Sequence, residues 1–262
     1  MAYVIAISNE KGGVAKTTTA LSLGATLAEK GYQVLLIDLD AQANLTLALG
    51  FEPGGATLTS SDILLENVPL ENVWQKSEIE RLEIVPSSKK MERAEQLLPI
   101  HLNYATRLAD AIFASHPMKY DFVVIDCPPA LGAVTLNALN AANLLIIPTQ
   151  AEYFSAYALR NMMTLVRKVR SSNNPPLAYR ILITMLDRRN RSHRTIQTQL
   201  ESTFGDGLFK SVVEIDTKLR ESPILGLPIT AYKSNTRGAE QYRVLAQELI
   251  EYVKETDQQP SQ

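Results

Sequence analysis

The stretch NEKGGVAKTTT, residues 9–19, follows the apolar run YVIAIS at residues 3–8 and leads into a segment with helical periodicity. A strand, a glycine-rich turn and a helix in that order restrict what the chain can fold into. Such a turn aims several backbone N–H groups at one point, and the helix N-terminus adds partial positive charge, so the place suits a phosphate. Further apolar runs repeat the theme: QVLLIDLD (33–40), LEIVPSS (82–88), DFVVIDCPP (121–129), NLLIIPTQ (143–150) and YRILITMLD (179–187). Continuous Val, Ile and Leu runs fit strands covered on both faces. Between them helices are expected at about 17–30, 102–115, 132–141, 155–171, 192–204 and 238–255. This alternation predicts an α/β fold, a doubly wound and mostly parallel sheet flanked by helices. Residues 51–80 are the least regular part. The tail, 257–262, reads as polar and disordered.

Within the loop, Lys16 is placed to meet the β- and γ-phosphates of a nucleotide, and Thr17 offers a hydroxyl to Mg²⁺. The ordinary Walker A pattern has glycine six positions before that lysine, where this chain has Glu10, and a second lysine, Lys11, stands at the front of the loop. KGGVAKTT instead resembles the deviant Walker A loop of the ParA/MinD family of ATPases. The resemblance implies a P-loop NTPase fold, ATP and Mg²⁺ as cofactors, and a weak Mg²⁺-dependent ATPase activity. It also implies that Lys11 reaches the partner's phosphates across a nucleotide-sandwiched homodimer. Gly12, Gly13, Val14, Ala15, Lys16, Thr17 and Thr18 become the phosphate contacts. One residue departs from the family: Ala15 stands where glycine is usual. Its methyl group is expected to crowd the phosphates or force φ negative, yet to be tolerated.

The carboxylates follow the same resemblance. Asp40, in DLDAQAN (38–44), matches the residue that positions the attacking water and the Mg²⁺ shell, and Asp38 lies near the metal's waters. Asp126 ends an apolar strand and matches a Walker B aspartate, holding Mg²⁺ through water. For Asp38 alone, a strand-end cap is the competing reading. No Ser-His-Asp or Cys-His arrangement competes. His101, His116 and His193 sit in polar contexts as surface residues, and Cys127 reads as packing.

The likeness covers nearly the whole chain and implies one ATPase domain over 1–256. Residues 135–159, ITMLDRR (183–189) and the C-terminal blocks look like the small Soj-like ParA branch. A single cysteine excludes the cluster ligands of nitrogenase iron protein, an intramolecular disulfide framework and a multi-cysteine metal site. The ending LIEYVKETDQQPSQ is acidic and polar, unlike the basic amphipathic membrane helix of MinD. No run approaches the roughly 20 apolar residues of a membrane span, and MAYVIAIS reads as a strand and not a signal peptide. No helix-turn-helix extension is expected before the loop, and the cytoplasm, on the nucleoid, is the expected location. On the adenine side, VEID (213–216) replaces the relatives' IPRN, so Glu214 and Ile215 stand at the base, with Met185 and Asp187 as neighbours.

Net charge is −2, but residues 160–240 carry 14 Lys/Arg against 7 Asp/Glu, a local excess of +7. Arg189 and Lys218 fall where the family's DNA-contacting residues lie, and Arg188, Arg191, Arg194, Arg220, Lys233 and Arg237 join them. Nonspecific double-stranded DNA is the expected partner, together with a ParB-like or cargo-adaptor protein that stimulates hydrolysis. The cargo is a chromosome, a plasmid or a protein compartment. The alternative is a nucleotide-switched regulatory or assembly protein acting through a protein partner without DNA.

Overall fold

Alternation of inward side chains explains the apolar runs. In β1 (Tyr3–Ile7), Val4 and Ala6 enter one core while Ile5 and Ile7 enter another on the opposite face. In β2 (Val34–Asp38), Leu35 and Ile37 face the first core, Val34 and Leu36 the second. Each Val, Leu or Ile side chain so buried contributes about 1.5–3 kcal/mol. The computed structural model describes residues 2–114, 119–152, 155–171 and 177–257.

Eight strands form one sheet in the order β3-β4-β2-β5-β1-β6-β7-β8. The others are β3 (Gln75–Lys76), β4 (Leu82–Val85), β5 (Phe122–Asp126), β6 (Leu144–Gln150), β7 (Ala178–Leu186) and β8 (Leu208–Glu214). All neighbouring pairs are parallel except β3 with β4. The expected α/β fold is the one observed. The helices are α1 (Lys16–Glu29), α2 (Asn44–Ala48), α3 (Ser60–Glu66), α4 (Met91–Leu97), α5 (Arg107–Ala114), α6 (Ala133–Ala141), α7 (Ser155–Arg170), α8 (Arg191–Phe204), α9 (Lys218–Glu221), α10 (Ile229–Tyr232) and α11 (Arg237–Asp257). The core under α3–α8 covers one face of the sheet, and the core under α1, α2 and α9–α11 covers the other.

Three local expectations change. The helix expected from 102 begins at Arg107, because Asn103 is left-handed at φ +58° and a 3₁₀ turn intervenes. The irregular 51–80 stretch holds α3, whose start is a capping box: Asp62 Oδ2 accepts a bond from Thr59 N at 2.7 Å. β8 was not expected at all, because Lys210 and Ser211 interrupt its apolar residues. Its backbone is held there by α11, where the Glu248 carboxylate accepts from Lys210 N and Ser211 N. Asp257, the first residue of the expected tail, still belongs to α11; residues 258–262 and His116 lie outside the described residues.

The strand order places the C-terminal ends of β1, β2 and β5 side by side, with Asp38 in register with Asp126 and Ile7 also paired to Asp126. Loops that leave these ends converge at one crevice, the usual ligand position in an open α/β sheet.

Candidate functional site

β1 delivers the glycine-rich loop and α1 begins at Lys16. Asn9 anchors the front: its Oδ1 accepts from Lys11 N at 3.0 Å and its Nδ2 donates to the Pro148 carbonyl at 2.7 Å. Thr184 Oγ1 donates to the Val14 carbonyl at 3.0 Å, and Gln150 Nε2 donates to the Gly13 carbonyl at 3.1 Å. With these carbonyls tied to the sheet, the loop curls through two left-handed residues, Gly13 at φ +73° and Ala15 at φ +66°. Of the two effects expected of its methyl group, Ala15 does not show the second: its φ is not forced negative. It takes the conformation that glycine would take, at a cost of about 1–2 kcal/mol.

Lys16 is buried and its Nζ donates back to the Lys11 carbonyl at 3.1 Å. Burial lowers its pKa, opposed by the negative charges of Asp126 and Asp40 and by Cys127. Lys11 behaves differently. Its Nζ leans to Gln150 Oε1 at 3.1 Å and forms an ion pair with Glu152 Oε2 at 2.5 Å. The two lysines thus serve separate places, one folded over the loop and one held at its side.

The carboxylates divide in the same way. Asp38 is fully buried and well bonded: its oxygens accept from Asp40 N at 3.0 Å, Thr46 N at 2.9 Å and Thr46 Oγ1 at 2.7 Å. Burial still pushes its pKa up to about 6. These bonds fold the 38–46 segment and so set Asp40, whose Oδ1 accepts from Gln42 N at 2.9 Å. Asp126 is equally buried, and neither of its oxygens has a hydrogen-bond partner. Burial and then the nearby Asp38 raise its pKa well above the usual range; Thr17 and Lys16 lie near enough to offset part of this.

A buried carboxylate with no partner is costly unless something positive completes it. Mg²⁺ suits the donor set: the Thr17 hydroxyl, a nearby carboxylate, and room for the waters this ion retains. Among the described residues no cluster of three or more His, Cys, Asp or Glu side chains could hold a metal alone.

A cleft of about 720 Å³ opens beside the loop. Gly12, Gly13, Ala15, Lys16, Thr17, Thr18 and Asp40 line its phosphate end, while Met185, Glu214 and Ile215 line the other. Four expected residues do not line it: Lys11, Val14, Asp126 and Asp187. Val14 is wholly buried beneath the loop, and Asp187 instead holds Arg189 through paired bonds at 3.1 Å. Sequence reasoning missed several walls, notably Leu47 and Asn44 of α2, Asp216, Ile224, and Tyr242 of α11. The Tyr242 hydroxyl lies 3.1 Å from Thr19 Oγ1 and ties α11 to α1. Tyr242 carried a signal as part of the apolar stripe of its helix, and Asp216 as the end of VEID; Leu47, Asn44 and Ile224 are brought in by the fold.

Four of the expected basic residues are matched by acids. Arg188 Nε meets Glu214 Oε1 at 2.7 Å and Arg237 Nη1 meets Glu214 Oε2 at 3.0 Å. Arg189 pairs with Asp187 and Lys218 with Glu221. Arg194 donates to the Arg188 carbonyl, Lys233 lies over the Tyr232 ring, and Arg191 starts α8. Arg220 lines the cleft itself.

Known proteins resemble this chain along its length. Residues 2–179 match a family model described as an AAA domain. The chain is 37% identical over 250 residues to the sporulation initiation inhibitor protein Soj of Bacillus subtilis, covering 95% of this chain and 98% of that one. It is 36% identical over 258 residues to the chromosome partitioning protein ParA of Caulobacter vibrioides, covering 98% and 96%. Among solved structures, cobyrinic acid a,c-diamide synthase from Mycobacterium smegmatis, with bound ATP analogue and magnesium, superposes with a TM-score of 0.83 at 31% identity and full coverage of both chains. With a deviant phosphate loop, a carboxylate at the end of β5 and relatives matching along the whole length, the chain belongs to the ParA/MinD family of deviant Walker A ATPases.

Proposed function

We propose that this chain is a ParA-type ATPase that forms an ATP-sandwich homodimer, binds double-stranded DNA nonspecifically and partitions or positions cargo. The observation that carries this reading is the separation of the two lysines. Lys16 covers its own loop, whereas Lys11 is held aside by Glu152 and Gln150, outside the cleft wall. A lysine so placed has little to offer its own nucleotide and suits a phosphate presented by a second copy.

Residues 12–18 hold the phosphates through backbone N–H groups, and Lys16 neutralises their charge. Asp40, fixed by the Asp38–Thr46 bonds, orients the attacking water. Mg²⁺, held by Thr17 and reached by Asp126 through water, would supply charge neutralisation to the phosphoryl group. Met185, Glu214 and Ile215 flank the base. Arg188, Arg189, Arg191, Arg194, Lys218, Arg220, Lys233 and Arg237 form the surface for DNA, and a ParB-like or cargo-adaptor protein stimulates a slow hydrolysis. The chromosome partitioning name of the Caulobacter relative supports a cargo of that kind. The domain spans 1–256 and works in the cytoplasm, on the nucleoid.

Binding of random-sequence duplex DNA is the test, with no nucleotide, with ADP-Mg²⁺ and with ATP-Mg²⁺. Binding is expected only with ATP, to weaken steeply with salt, and to be lost in Lys11→Ala while that variant keeps monomer ATP binding. DNA binding by Lys11→Ala equal to wild type would overturn the role in trans. One observation favours the second reading, a switch acting on a protein partner: Arg188, Arg189, Lys218 and Arg237 are already matched by acids. ATP binding without any DNA binding would establish that reading instead.

A further inference from the structure

Glu214 occupies an unusual position between two sites. It is the last residue of β8 and lines the base end of the cleft. Its side chain is only 14% exposed, and both carboxylate oxygens are taken by arginines of the basic face, Arg188 and Arg237. The arrangement is firmly built. Gln241 Oε1 of α11 accepts from Glu214 N at 2.9 Å, and Arg237 Nη2 also donates to the carbonyl of Ile215, a cleft residue. Next to it, Asp216 accepts from Lys218 N and from Gly238 N, both at 2.9 Å, which ties the end of β8 to α9 and to the start of α11.

Two arginines on one carboxylate leave a net charge of +1 where the bare arginines would present +2. A guanidinium engaged by a carboxylate offers its in-plane donors to that group first. A DNA phosphate must therefore displace Glu214 before either arginine serves it fully. The two arginines are themselves more than half exposed, so the carboxylate and not burial is what holds them.

We infer that Glu214 is a built-in electrostatic restraint on DNA binding: from the wall of the nucleotide cleft it holds Arg188 and Arg237 back from phosphates in the nucleotide-free chain. The inference rests on the DNA-binding reading above. It assigns Glu214 a role toward the basic face and not only toward adenine. It also gives the VEID stretch, 213–216, a physical use.

The test is Glu214→Gln, which keeps the size and one acceptor oxygen but removes the charge. Binding to random-sequence duplex DNA is measured for the nucleotide-free protein between about 50 and 200 mM salt. The variant is expected to bind about three- to tenfold more tightly than wild type at the low end, with a salt slope steeper by about one for each arginine released. Adding Arg188→Gln and Arg237→Gln to it should erase that gain. The melting temperature of each variant, measured in parallel, reports that it is folded. Nucleotide-free Glu214→Gln binding no tighter than wild type, while wild type binds with ATP-Mg²⁺, would overturn the restraint alone; so would a gain that survives loss of both arginines. Failure of the wild type to bind DNA even with ATP-Mg²⁺ would overturn the DNA-binding reading itself.

Discussion

The phosphate end of the cleft and the basic face handle charge in opposite ways. At the phosphate end the buried Asp126 oxygens make no close hydrogen bond, though Thr17 and Lys16 lie near, and Lys16 is buried against a backbone carbonyl. These charges are kept incomplete. On the basic face Arg188, Arg189 and Arg237 are largely exposed, Lys218 is partly so, and each is matched by a carboxylate. Incomplete buried charge is expensive to the free chain and binds its missing partner strongly, whereas matched surface charge contributes little to stability and is easily retuned. The first arrangement suits a small ligand that completes the site; the second leaves cations that exchange partners readily.

Lys16→Ala is the strongest way to break this contrast. Loss of a buried, charge-matching ammonium is expected to weaken Mg²⁺-ATP binding by about 100-fold or more, read by titration calorimetry. Affinity within a few-fold of wild type would mean that the loop amides alone carry the phosphates.

Of intermediate size is the pH dependence of the metal-free chain. Burial raises the Asp38 pKa from 3.8 to about 6, so the folded chain binds that proton more tightly than the unfolded one. The contribution of Asp38 to stability is thus greatest below its unfolded pKa, falls as pH rises toward about 6, and is flat above. Asp38→Asn removes this fall. The stability difference between variant and wild type should shift in the variant's favour by on the order of 1–3 kcal/mol between about pH 4 and pH 7. Denaturant melts at each pH measure it, and parallel pH curves for the two proteins would refute the assignment.

The smallest effect sharpens the other side. Arg189 is 92% exposed and paired to Asp187. Arg189→Gln should leave the melting temperature within about 2 °C of wild type, since exposed pairs contribute little, while weakening ATP-dependent DNA binding. A large thermal loss would show that the basic face is structural after all.

Much of the fold was legible because its signals are local. YVIAI, VLLID and FVVID are continuous apolar strands because both faces of a parallel sheet are covered, and that demand falls on every residue. The phosphate loop reads off directly, since glycines, lysine and threonine act within a few residues of one another. The TLTSSDI stretch even carried a capping box for α3 that periodicity alone did not find. Strand β8 escaped because it is an edge strand with polar interruptions, and Asp187 was assigned to the base because sequence shows neighbourhood but not the direction a side chain takes.

By itself, then, the sequence determined the loop, the central strands and the two lysines whose spacing marks the family. Only the tertiary structure decided what those lysines touch. Lys11 meets Glu152 across 141 residues, and the Arg188–Glu214–Arg237 triad draws on the ends of β7 and β8 and on α11. Such contacts depend on which strands the sheet sets side by side. Strand order follows from burial of the whole chain at once, and no short stretch encodes it.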